Sequence, residues 1–250
     1  MLGIKNKGAE HRNIGLSKIN VSFLLIIFFL FSCGKVKPKG EIITQDKTVE
    51  DFVNIDLQGK FRVFFIKSPQ NFVNVETYEN VGDNLKIKVS DKTLTIKERR
   101  ETQGVDFYNI TIYSKYSPEK ISVSDSVELN ISSEIKTDNF RLNLKNNAKF
   151  IGSVNTRRAE VEMLNTSRAN FMGKTKDATL KIADTASLIA PFWKIENLKI
   201  DSQNGNYAEV NVKDTLKGNV KNTAKLVYYN DPIRAFKIEK TANVQNKILE

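Results

Sequence analysis

Leu144-Lys145-Asn146-Asn147-Ala148-Lys149-Phe150, Met163-Leu164-Asn165-Thr166-Ser167-Arg168-Ala169 and Ile182-Ala183-Asp184-Thr185-Ala186-Ser187-Leu188 repeat one pattern. An apolar residue is followed two positions later by Asn or Asp, two later again by a small residue, and then by a second apolar position. Working outward, the leading position is filled by Val123, Leu144, Met163, Ile182, Ser202 and Val220, at spacings of 21, 19, 19, 20 and 18. The next column reads Asp125, Asn146, Asn165, Asp184, Asn204 and Asn222. Small residues dominate the third (Val127, Ala148, Ser167, Ala186, Asn206, Ala224), and the fourth is Leu129, Phe150, Ala169, Leu188, Ala208 and Leu226. A unit this short, alternating like a strand, cannot bury its own apolar face and must stack on its neighbours. The fold class expected is therefore all-β, a parallel β-helix or β-solenoid with coils of about 19 residues. Right-handedness follows from the general rule for parallel crossovers. Asn and Asp tolerate left-handed backbone angles and bond local backbone groups, so their column marks a corner where the side chains form a ladder.

Volume is shared between coils: Phe150 faces Ala169 in its column, and the next large residue, Phe171, comes two positions later. Close packing demands such alternation. Upstream, β-branched and aromatic runs alternate with period two in Phe52 to Leu57, Phe61 to Ile66, Phe72 to Val75, Leu85 to Val89, Leu94 to Ile96 and Ile110 to Tyr113. The charged stretch Glu98 to Asp106, around Gly104, reads as an exposed loop.

The first 32 residues read as an export signal. Lys5, Lys7, Arg12 and Lys18 precede the apolar run Phe23 to Phe31, which is too short to span a bilayer. The run ends in Leu30-Phe31-Ser32-Cys33-Gly34, which resembles a bacterial lipobox, so Cys33 is expected to be the acylated first residue of the mature chain. Residues 33–47, with Lys35, Lys37, Lys39, Pro38 and Gly40, read as a basic tether, residues 48–240 as one β-helix domain and 241–250 as a tail. The expected location is the outer membrane of a Gram-negative bacterium, and the basic residues after Cys33 tilt the reading toward its periplasmic face.

Of 39 basic and 29 acidic residues, four and one fall in the first 32, leaving the mature chain at 35 minus 28, or +7. Lys-x-Lys alternation usually marks a solvated strand face, and no nucleic-acid partner is expected. The lone histidine, His11, lies in the signal and the lone cysteine is the anchor. That composition excludes Ser-His-Asp and Cys-His catalysis, His-containing zinc sites and disulfides from the mature domain. No cofactor and no metal are expected.

Asp51-Phe52-Val53-Asn54-Ile55-Asp56-Leu57-Gln58-Gly59-Lys60-Phe61-Arg62-Val63-Phe64-Phe65 opens a series that continues through Val73-Asn74-Val75-Glu76, Leu85-Lys86-Ile87-Lys88-Val89, Ile110-Thr111-Ile112-Tyr113 and Lys120-Ile121-Ser122-Val123. In order, and with the lipobox, these blocks resemble the head GIN domain family of Bacteroidetes-type lipoproteins, putative auto-transporter adhesins, over about residues 50 to 230. The resemblance implies a right-handed β-helix in the cell envelope and transfers no catalytic residues. Where members often carry Ser-Gly-Ser-Gly turns, this chain has Asn146-Asn147-Ala148, Asn165-Thr166-Ser167 and Asp184-Thr185-Ala186.

Candidate ligand residues are Arg157, Arg158 and Arg168, with Lys174 and Asp177, one coil apart and suited to an acidic glycan. Trp193, in Pro191-Phe192-Trp193, and Tyr228-Tyr229 are rings that either stack on a sugar or close the core. Tyr113 and Tyr116 carry the same ambiguity. Glu160 and Glu162 alternate on one strand face, about 6–7 Å apart, without the facing carboxylate a glycosidase needs. Four neutral Asn among six corner positions favour an amide ladder over a calcium site. The expectation is a lipid-anchored, non-enzymatic module that binds a glycan or an envelope protein or is purely structural. The alternative is a carbohydrate-active enzyme, a lyase or hydrolase, acting on acidic polysaccharide.

Overall fold

The computed structural model describes residue 3 and residues 34–248. Strand makes up 66% of it and helix 2%, wound into a right-handed β-solenoid of about 7 turns. The upstream strands are β1 (Ile42–Thr48), β2 (Asn54–Gly59), β3 (Arg62–Lys67) and β4 (Phe72–Tyr78). A single helical turn, α1 (Glu79–Gly82), leads to β5 (Leu85–Ser90), β6 (Thr93–Glu98), β7 (Tyr108–Ser114), β8 (Lys120–Asp125) and β9 (Glu128–Ile131). The repeat region forms β10 (Ile135–Leu144), β11 (Lys149–Met163), β12 (Arg168–Ile182), β13 (Ser187–Ser202) and β14 (Tyr207–Val220). The last coil is β15 (Lys225–Tyr229), β16 (Ile233–Ile238) and β17 (Asn243–Lys247).

Each long strand bends round two corners and serves three parallel faces. The first face stacks β6, β2, β8, then residues 141–144, 159–163, 178–182, 198–202 and 215–220, and finally β16. The second stacks β7, β3, β9, then 149–151, 168–170, 187–190 and 207–211, and ends with β15 and β17. A third, shorter face is built from 135–137, 154–156, 173–175 and 193–195.

The threading at the beginning is not visible in the repeat. Coil β2–β3 lies between coil β6–β7 and coil β8–β9, so Ile55 pairs with both Leu94 and Ile121, and Val63 with both Ile110 and Leu129. The chain leaves this coil, turns back through antiparallel β4 and β5, and returns on its other side.

Inside, large and small side chains interdigitate. Phe150 is in register with Ala169, Phe171 with Gly152, and Trp193 with Gly173. Ring centroids are 4.8 Å apart for Phe150–Phe171 and 4.6 Å for Phe171–Trp193. Such pairs contribute about 0.5–1.5 kcal/mol beyond burial alone. Gly173 sits at φ +102°, and a Cβ there would lie 2.4 Å from the carbonyl oxygen of Val154 on the preceding rung, so only glycine fits. The unit that breaks the apolar pattern, Ser202 and Asn206, is buried yet satisfied. Ser202 Oγ donates to Asn206 Oδ1 (2.7 Å), and Asn206 Nδ2 donates to the carbonyls of Ile182 and Gln203.

Three boundaries need correction. The tether expected over 33–47 is shorter, because Val36 is buried and bridges Thr102, and β1 pairs antiparallel with β4. The expected tail at 241–250 contains β17, which continues the stack on β15. The loop expected to be exposed at Glu98 to Asp106 buries Glu98 and Thr102, where Thr102 Oγ1 donates to Glu98 Oε1 at 2.8 Å.

Leu144 is fully buried in the repeat column, and a charge there has no partner. Leu144→Asp should cost about 4 kcal/mol or more and abolish the cooperative thermal transition. A melt within a few degrees of the unaltered protein would refute this account of the core.

Candidate functional site

The corner column comes first because it fixes every outward face. Asp125, Asn146, Asn165, Asp184, Asn204 and Asn222 all take left-handed angles, φ between +53° and +67°. Asn146 Nδ2 donates to Asp125 Oδ1 (3.0 Å), and the Asn146 N–H to Asn165 Oδ1 (3.1 Å). The Asn165 N–H donates to Asp184 Oδ2 (2.9 Å), and Asn222 Nδ2 to Asn204 Oδ1 (2.9 Å). Both column carboxylates are thus held by neighbouring N–H groups. Among the described residues no group of three or more His, Cys, Asp or Glu could hold a metal ion. Thr166 and Thr185, one residue past the corner, donate to the carbonyls of Asn146 and Asn165. Below Asp125 the corner slot is Gly59, at φ +149°, whose missing Cβ leaves room for the Glu98 side chain.

Outward side chains stand in three sets. On the first face a depression of about 500 Å³ is lined by Lys120, Arg141, Lys181 and Lys199 and by the carboxylates Glu160 and Glu162: Arg141 makes two contacts with Glu160 Oε2, at 2.7 and 2.9 Å, and Lys181 stands in register with Glu162. On the second face Glu128 is shared by Lys149 and Arg62, and the two cations hold its carboxyl below the usual range. The second face also exposes Ile151, and Met172 is exposed where β12 passes from the second face to the third. On the third face a groove of about 380 Å³ is lined by Asn155, Thr156 and Thr175 and by Lys174, Lys176, Lys194 and Lys213, with Glu196 as its one carboxylate.

The predicted arginines do not form one cluster. Arg157 and Arg158 lie at the corner between the third and first faces, Arg158 in register with Asp177, whereas Arg168 is on the second face between Lys149 and Ser187. Asp177 accepts a hydrogen bond from Asn197 Nδ2 (3.1 Å), and Lys174 belongs to the third-face groove. The expected pairing of Arg157 and Arg158 with Arg168 fails because five residues of first-face strand and a full corner separate them. Trp193 is likewise corrected as a glycan residue: it is fully buried and its Nε1–H donates to Thr175 Oγ1 at 2.8 Å. Its neighbour Phe192, 64% exposed, is the ring presented to solvent.

The cause is a register shift. Asn170 pairs with Ile189 but Met172 with Phe192, and Ala190 pairs with Val210 but Lys194 with Asn211, so β13 bulges at Pro191–Trp193. A bulge re-aims side chains. Strand alternation alone does not reveal which of two adjacent rings turns outward; the 20-residue spacing of this coil and its proline were the available signals. Tyr228 and Tyr229 are buried at the coil end, Tyr113 stacks on Phe72 with centroids 4.1 Å apart, and Tyr116 is exposed. Glu160 and Glu162 face solvent on the first face. Cys33 lies outside the described residues.

Two comparisons bear on this architecture. A family model described as "Putative auto-transporter adhesin, head GIN domain" matches residues 51–232. A solved putative adhesin from Bacteroides fragilis is similar, with a TM-score of 0.76 at 17% identity, covering 85% of this chain and 100% of its own. A putative adhesin from Parabacteroides distasonis superposes at 0.69 with 17% identity, covering 86% of this chain and 100% of its own. A protein of the same organism described as a putative lipid binding protein superposes at 0.68 with 15% identity, covering 87% and 100%. At these identities the likeness establishes the fold. No curated protein matches.

Two substitutions test the column and the Glu98 slot. Asn165→Ala should cost about 1–3 kcal/mol in denaturant unfolding, since Ala pays for the left-handed angle and loses the amide bonds, whereas Asn165→Gly should stay within about 1 kcal/mol. Equal costs would show that the angle is not what selects Asn. Burial raises the Glu98 carboxyl above its usual range, more than hydrogen bonds from Thr102 and the Lys60 backbone lower it. The folded protein therefore holds this proton more tightly than the unfolded chain. Its stabilising contribution is present below the unfolded pKa and is lost as pH rises through the folded one. Glu98→Gln should raise the unfolding midpoint more at about pH 7 than near pH 4, and a difference independent of pH would contradict the assignment.

Proposed function

Because the chain belongs to the family described as putative auto-transporter adhesin, head GIN domain, we propose that it is a non-enzymatic binding module of the cell envelope, held at a membrane by an acylated Cys33. One observation carries the reading. From β10 to β14 the coils stack in register except at the irregularities of β13, so outward side chains form columns whose rungs are about 4.8 Å apart and whose positions are fixed by a close-packed interior. An extended ligand lying across these rungs, a glycan or a segment of an envelope protein, would meet a preorganised grid and lose little affinity to ordering the receptor. The alternative of a lyase or hydrolase needs cations and carboxylates converging on one bond, and the separation of Arg157 from Arg168 favours binding over that chemistry. The basic Lys35, Lys37 and Lys39 next to the anchor suit an anionic envelope surface, and we place the module at the periplasmic face of the outer membrane.

Two measurements test this proposal. In a Gram-negative host the full chain should incorporate labelled palmitate and sediment with outer membranes, and Cys33→Ser should abolish the label and release the protein; label retained by the variant would disprove the anchor. The purified protein should retain envelope polysaccharide from such a host without shortening it. Retention of neither polysaccharide nor any envelope protein in a pull-down from the same host would overturn the binding reading, and newly released reducing ends would overturn the non-enzymatic one.

A further inference from the structure

On the third face cations outnumber carboxylates four to one around a single groove. Lys174 and Lys194 are in register on adjacent rungs, and Lys176 and Lys213 complete a group of four lysines around one carboxylate, Glu196. None of the ion pairs among the described residues includes any of these five side chains. Like charges opposite one another in a sheet are unfavourable, and a parallel stack cannot splay to separate them. Beside them, two residues back along the same strands, Met172 and Phe192 are also in register and are 47% and 64% exposed. The bulge of β13 thus sets an exposed ring next to a pair of unneutralised lysines. The groove adds the Asn155 amide, while the hydroxyls of Thr156 and Thr175 are buried beneath it and already bonded, to the Arg158 carbonyl and the Trp193 Nε1–H.

We propose that this face binds an anionic polysaccharide through its carboxylates, with Lys174 and Lys194 as the central cations, Lys176 and Lys213 flanking them, and a sugar ring lying on Phe192. The inference rests on the binding-module reading and names its ligand class. A uronate polymer combines what the face offers: one carboxylate per ring for the lysines, an apolar C–H face for Phe192, and hydroxyls for the Asn155 amide. A single-stranded nucleic acid would call for several stacking rings in series, and this face exposes one. An anionic bilayer would call for apolar side chains on a protruding surface, whereas these lysines line a concave groove.

The test uses the purified full-length protein with three uronate polymers (polygalacturonate, alginate and hyaluronate), dextran as a neutral polymer, phosphatidylglycerol vesicles and a single-stranded oligonucleotide. At least one uronate polymer should bind, more weakly as salt rises, while dextran does not. Lys174→Glu with Lys194→Glu should weaken that binding by about tenfold or more, and Phe192→Ala should weaken it at high salt as well, where the cations are screened. Lys199 and Lys217 form an in-register pair on the first face without an exposed ring beside them, so Lys199→Glu with Lys217→Glu makes the same charge change and should alter binding by no more than about twofold. Neither double variant should shift the thermal midpoint by more than a few degrees, since each exchanges one like-charge pair on exposed rungs for another. Equal losses from the two double variants, or vesicles or oligonucleotide bound through Lys174 and Lys194 in place of uronates, would overturn the proposal. A protein that retains envelope polysaccharide but ignores all three uronate polymers would lose this ligand assignment while keeping its role as a binding module.

Discussion

Parallel hydrogen bonding of each coil onto the one before it, in register, is the constraint on which the rest of the molecule depends. Once Leu144 lies under Met163 and Met163 under Ile182, the corner two residues later must recur at the same place. The backbone there turns through a left-handed angle that costs most residues about 1–2 kcal/mol. Asn and Asp accept that angle and return part of the cost by bonding to the rung above or below. The column is therefore selected twice, once by conformation and once by the neighbour's amide. Gly205 takes the place that Thr166 and Thr185 hold in their coils, and no direct side-chain bond among the described residues joins Asp184 to Asn204. The ladder runs in two pieces, and the buried pair Ser202–Asn206 ties the coil at the join from inside.

A stack of this kind must end somewhere, and its two ends are treated differently. Antiparallel β1, β4 and β5, with Val36 against Thr102, cover the beginning. At the other end β16 and β17 each pair on one side among the described residues, and Ile233 and Ile238 are exposed. Lys237, Glu239, Lys240 and Lys247 stud this edge with charge, a device that discourages further strands from adding on. Glu239 also accepts the Asn222 N–H, so one carboxylate finishes the amide column where the asparagines stop.

Much of this could be read in the sequence where it follows from local rules repeated many times. The period, the handedness, the Asn and Asp corner and the alternation of Phe150 with Ala169 each appear in several coils, and each has one physical solution. What could not be read depends on single events. That Ile55 lies between Leu94 and Ile121 is a matter of threading, and alternation within β2 is the same whichever neighbours it has. Val36 and β17 look like linker and tail because one apolar residue, or five mostly polar ones, gives no periodic signal. That Trp193 turns inward and Phe192 outward could not be read, because one inserted residue reverses the facing of everything after it until the register recovers.

The same bulge shows why irregularity matters in a solenoid. Regular coils fix the spacing of outward groups but also make the faces monotonous, with each rung repeating its neighbour. Some charges on regular rungs find opposite partners along the stack, as Arg62, Glu128 and Lys149 do on the second face and Arg141 and Glu160 do on the first. The third face has another composition, with lysines on successive rungs and the inserted residue of β13 at its margin. The interior absorbs that insertion by burying Trp193, whose Nε1–H donates to Thr175. The cost of the irregularity is thus met inside, and its product, an exposed ring beside unpaired cations, is displayed outside on a backbone too rigid to hide it.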